Sequence, residues 1–153
     1  MRERYQTWLL AACVVVASAC TAARTPAKAV TGGNESMPAR VEVELDIFSG
    51  MPNPTWVLTD AEADSFVKRL SAAPPGPATE LSGNLGYRGF IVQVTQGAET
   101  HSIHLQAGTV QISKGATKAH AKDMNRELER WLLNTGKPHL KSEIFQVVER
   151  EIR

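Results

Sequence analysis

Beyond position 20 the chain has no cysteine, because its two cysteines are Cys13 and Cys20. A folded part lying after them can form no internal disulfide and must hold together by core packing alone. Charge of one sign is also missing, with 17 Lys and Arg against 16 Asp and Glu. With no surplus to steer it, nucleic acid is not expected as a partner, nor is an anionic membrane surface. Aromatic residues make up only 6% of the chain. No apolar run reaches the roughly 20 residues that a permanent membrane span requires.

Motifs that carry chemistry are absent as well. His101 and His104 lie three apart in a predicted strand and so project to opposite faces, while His120 and His139 fall on other elements. With no thiolate available and no H-x-x-x-H or H-E-x-x-H spacing, no metal site is expected. Ser49 before Gly50 and Ser82 before Gly83 lack the strand-turn-helix context of a nucleophile elbow. Gly83-Asn-Leu-Gly86 neither follows a strand nor opens a helix, as a phosphate-cradling loop would. No cofactor and no catalytic residue is assigned.

What is present begins with an export signal. Arg2 and Arg4 precede the apolar run Trp8 to Val16, matching the charged and hydrophobic regions of a bacterial secretion signal over residues 1–19. Ala17-Ser-Ala-Cys20 resembles the lipobox of bacterial lipoproteins, and the resemblance implies cleavage before Cys20 and acylation of that cysteine. Ala17-x-Ala19 is equally the small-x-small pattern of ordinary secretory cleavage, which would leave the protein periplasmic or freely secreted. Residues 20–38, rich in Ala, Thr, Gly and Pro without apolar periodicity, read as a flexible tether.

Residues 39–153 read as one α+β domain. Val41 to Phe48 alternates strictly, with Val41, Val43, Leu45 and Ile47 on one face and Glu42, Glu44 and Asp46 on the other. Pro52 and Pro54 then mark a loop. Thr59-x-x-Glu62 has the spacing of a capping box and opens a predicted helix over 60–71. Three short β-rich runs follow at Phe90 to Thr95, Ser102 to Gln106 and Thr109 to Ser113. A helical stripe runs from Ala121 through Met124, Leu128, Trp131 and Leu132 to Thr135, and a last helix carries Leu140, Ile144, Phe145, Val148 and Ile152. The expected architecture is a small, mainly antiparallel four-stranded sheet, with one helix inserted after the first strand and two C-terminal helices packed on it. Parallel pairing of the first two strands through a right-handed crossover stays open.

Glu42, Glu44 and Asp46 read as a solvated sheet face, because alternate strand residues stand roughly 6.5–7 Å apart, too far for tight three-way ligation of one cation. The remaining polar and aromatic loop residues are Asn53, Trp56, Tyr87 and Arg88. If the first two strands pair antiparallel, they gather at one end of the sheet as a recognition rim. The competing reading has Trp56 and Tyr87 closing the end of the core. Phe48-Ser-Gly-Met-Pro-Asn-Pro-Thr-Trp56 resembles a segment of small exported bacterial proteins, a resemblance that implies no activity. The sequence thus points to an exported, lipid-anchored cell-envelope binding domain, whose partner is an envelope protein or small molecule and whose membrane contact is the lipid on Cys20. The alternative is a small envelope hydrolase using carboxylate or histidine side chains.

Overall fold

The computed structural model of the chain describes residues 39–83 and 85–153. The expected signal, tether and lipidation site at Cys20 lie outside them.

The alternation of the first strand is realised in β1, Arg40–Asp46, where Val41, Val43 and Leu45 are fully buried. A short strand β2, Thr55–Val57, pairs with β1 on one side, and β3, Gly89–Gln96, pairs with it on the other. The chain then runs as a meander through β4, Glu99–Gln106, β5, Thr109–Lys114, and β6, Thr117–Lys122. Each hairpin turns on two residues, and Ala107 and Gly108 both have positive φ, as a type I′ turn requires. Among the described residues the sheet has six strands in the order β2-β1-β3-β4-β5-β6, with every neighbouring pair antiparallel. This decides the pairing of the first two long strands and corrects the expected count of four.

The two additional strands were hidden for different reasons. β2 follows Pro52 and Pro54 directly, which a central strand would not tolerate, but it sits at the sheet edge where a missing donor costs little. Its neighbours still complete the ladder, with Leu45 N–H donating to Pro54 O and Leu58 N–H to Val41 O, both at 2.9 Å. β6 carries Ala119 and Ala121 alternating with Lys118, His120 and Lys122, and Ala121 also fits the helical stripe that continues at Met124. The strand wins because Gly115 turns the chain back along β5. Its outer edge is covered by the segment after the first helix, through Gly76 N–H to His120 O at 3.0 Å and Lys122 N–H to Pro74 O at 2.9 Å.

Among the described residues three helices cover one face of the sheet. α1, Asp60–Ala72, starts at the anticipated capping box, in which Thr59 N–H donates to Glu62 Oε2 at 2.9 Å and Thr59 Oγ1 accepts from Glu62 N–H at 3.4 Å. α2, Glu127–Gly136, begins well after Ala121, behind a single 3-10 turn at Met124–Arg126. Asp123 supplies its N-terminal acceptor, taking the amides of Leu128 at 2.8 Å and Glu129 at 2.9 Å. α3, Ser142–Ile152, closes the layer. Phe66, Leu132, Val148 and Ile152 meet Val43, Leu45, Phe90, Val92, Ile103 and Leu105 in one core.

Candidate binding surface

Strand alternation sends the four anticipated loop residues to two different places. Trp56 stands opposite Val43 on the core face and is only 4% exposed. Its ring meets Phe90 edge-on at 6.3 Å and stacks on His139 at 6.4 Å, while Nε1 donates to Thr135 Oγ1 at 3.1 Å. Tyr87 approaches Phe90 from another side, edge-on at 6.0 Å, and its hydroxyl donates to Glu129 Oε2 at 2.7 Å. Both aromatics therefore close the end of the core, and an exposed rim built around Trp56 is not what the fold presents. The physical reason is parity: Trp56 has the one side-chain direction in β2 that points under the helices.

Asn53 and Arg88 gather on the opposite, polar face around Asp46. Asn53 Oδ1 accepts the amides of Ile47 and Phe48 at 3.1 and 2.9 Å, and its Nδ2 donates to Glu44 Oε1 at 2.8 Å and Asp46 Oδ1 at 3.1 Å. The side chain thus replaces the ladder where β1 ends and fixes the proline loop over 47–54. Arg88 forms a bidentate ion pair with Asp46, through Nε to Oδ2 at 3.0 Å and Nη2 to Oδ1. Its Nη2 also donates to Phe48 O at 2.8 Å and Nη1 to Ser49 Oγ at 3.2 Å. Arg88 consequently staples the loop entering β3 to the loop leaving β1. Both residues organise backbone, so what they present to solvent is the loops themselves. At that rim Met51 is 62% and Leu85 91% exposed.

The rest of the polar face is ordered by strand register. One row runs Glu42, Gln93, Ser102, Ser113, Lys118, and the next Glu44, Ile91, His104, Gln111, His120. At the end of the sheet Asp46 pairs with Gly89, and Gln106, Thr109 and Lys122 run level across β4 to β6. The acids share one face as their alternation requires, and His101 lies on the other, near Glu99 at 3.6 Å. Burial pushes the His104 imidazole below its ordinary pKa, against the pull of the nearby Asp46 and Glu44 charges. Among the described residues no group of three His, Asp or Glu side chains is placed to hold a metal ion.

Two features were beyond sequence reasoning. Glu129 is fully buried, and its carboxylate accepts from Tyr87 Oη, from Gly108 N–H at 2.8 Å and from Arg126 Nη2 at 2.8 Å. Nothing in Glu127-Leu-Glu-Arg distinguishes it from a solvated helix acid. Concavities of about 280, 240, 230 and 420 Å³ lie at the α1–α2 junction, beside the Gly108 turn, between α2 and α3, and along α3. None of these four takes in Glu44, Asp46, Asn53, Arg88 or His104. No protein-family model matches the chain, and no curated protein or solved structure matches it either.

Proposed function

We propose that the chain is an exported, lipid-anchored domain of the cell envelope that binds a partner through the loop end of its sheet and performs no chemistry. The observation that carries this reading is the pair Met51 and Leu85, apolar side chains standing in solvent on loops that Asn53 and Arg88 hold in place. Exposed apolar groups on a rigid frame cost little ordering entropy on association, so they serve as anchors in recognition. Hydrolysis is less well supported, because Glu44 and Asp46 already accept hydrogen bonds from Asn53, Asp46 also pairs with Arg88, and none of the four concavities covers them. The chain enters β1 at Arg40, whereas the rim lies beyond Asp46. An anchor on Cys20 would therefore attach through the end of the strand remote from the rim.

The test uses the full chain in cells with a photo-crosslinking residue in place of Met51. Adducts with envelope components should form from position 51 but not from Asp64 on the exposed side of α1, and Leu85→Asp should reduce them at least several-fold. Surface changes of this kind leave stability within about 0.5 kcal/mol. Equal adducts from both positions, or adducts indifferent to Leu85→Asp, would overturn the rim.

A further inference from the structure

The polar sheet face is electrically lopsided in a way that the register makes quantitative. Glu42, Glu44 and Asp46 line it along β1, and Lys118, His120 and Lys122 line it along β6. The two stripes are level with each other: Glu42 shares a row with Lys118 and Glu44 with His120. Among the described residues neither Lys118 nor Lys122 has an ion-pair partner, and Glu42 has only Arg40 at 3.5 Å on an exposed surface, whereas Asp46 is already neutralised by Arg88. The helices cover the opposite face, so within the described residues this one lies open along the Glu42 and Glu44 rows, whereas the end at Asp46 is covered by Asn53 and Arg88 at β1 and by Ser82, which exchanges hydrogen bonds with Gln106, at β4.

We propose that this face docks a second copy of the chain, face to face, about a two-fold axis running roughly along β4. That operation lays β1 of one copy over β6 of the other, β3 over β5, and β4 over itself. Glu42 then faces Lys118 of the second copy and Glu44 faces His120, and symmetry repeats both contacts. Ser102 and His104 meet their own counterparts at the centre, and Ile91 meets Gln111. The alternative two-fold across the strands would put acid over acid and is rejected by its own repulsion. Charge pattern thereby selects one of the two face-to-face arrangements. The twist of a six-stranded sheet is compatible with this, since packed sheets align within about 30°.

The area sets the strength. Five strands about 4.8 Å apart, open over roughly 16 Å of their length, offer on the order of 400 Å² per copy, so about 800 Å² in total. That is below the usual size of a stable specific interface, and a polar surface adds little hydrophobic stabilisation. A weak, salt-sensitive dimer follows, of the kind that confinement to one surface would populate. The loop rim stays free in the dimer, so this inference stands apart from the function proposed above.

A charge-swap pair tests it. The mature chain carrying Cys20→Ser, which excludes lipid and thiol effects, is followed by sedimentation equilibrium from about 10 µM to 1 mM, concentrations suited to weak association. Wild-type protein should self-associate at low salt and dissociate at least ten-fold more readily at about 0.5 M salt, where screening acts within a few Å. Glu42→Lys alone and Lys118→Glu alone should each weaken association about ten-fold or more, since each homodimer then opposes like charges twice. Mixing the two variants should restore it, because both swapped contacts become Lys against Glu. A wild type monomeric across the range, or variants that fail to complement while remaining folded by circular dichroism, would overturn the proposal.

Discussion

Trp56→Ala should remove about 3–5 kcal/mol of stability, the usual result of emptying a core site of this size. The indole is wedged between Phe90 and His139, and it lies so close to α2 that a Cβ on Gly136 would come within 2.7 Å of Cζ2. Its Nε1–H ends on Thr135 Oγ1, whose own proton goes to Leu132 O at 2.7 Å, so the polar tip is satisfied without water. Truncation leaves both a cavity and a hydroxyl that has lost its donor. The midpoint of thermal unfolding should fall by on the order of 10–20 °C for a domain of this size. Trp56→Phe keeps part of the contact and should cost less. A loss below about 1 kcal/mol in urea titration would mean that Trp56 is not the keystone of this core end.

Glu129→Ala should be as damaging, for an electrostatic reason. The buried carboxylate gathers Tyr87 from the loop before β3, Gly108 from the β4–β5 turn and Arg126 from the entry to α2. Removing it takes an acceptor from a phenol, an amide and a guanidinium at once, and breaking one side of a buried pair costs about 3–5 kcal/mol. Glu129→Gln, which keeps one acceptor oxygen, should lie between. The same network predicts an alkaline limb. Burial foremost, and then the charge of Glu129, raises the pKa of Tyr87 far above its ordinary 10.0. Below that ordinary value the phenol is neutral in both folded and unfolded chains, and its contribution to stability is complete. Above pH ~10 only the unfolded chain releases the proton, so stability falls as pH rises, by up to about 1.4 kcal/mol per pH unit from this group. Tyr87→Phe should flatten that limb while costing roughly 1 kcal/mol at neutral pH. An unchanged limb in Tyr87→Phe would show that another group drives the alkaline loss.

The parts of the fold that sequence reasoning captured are those fixed by local rules. The alternation of Val41 to Ile47 places β1 and its faces, and Thr59 with Glu62 places the start of α1, because both patterns act within a few residues. Ala121 fits the helical stripe by its spacing alone, since alanine is apolar enough for either period and prefers helix, yet with Ala119 it belongs to β6. Only the return of the chain at Gly115 makes them a strand. Trp56 and Asn53 sit three residues apart in one loop, yet they serve opposite faces of the sheet. Their directions depend on β1 pairing with β2, which composition does not encode. Arg88 reads from the sequence as part of a recognition rim, but its partner Asp46 lies 42 positions earlier in the chain. Glu129 was invisible for the same reason, because its burial is set by a left-handed Arg126 and a hairpin turn from elsewhere.

The claim on which the functional reading rests is that this domain works tethered at the envelope, and metabolic labelling with a fatty-acid probe tests it most directly. The account predicts that the full chain takes up label in the membrane fraction and that Cys20→Ser takes up none. Label absent from the wild type, or persisting in Cys20→Ser, would contradict it.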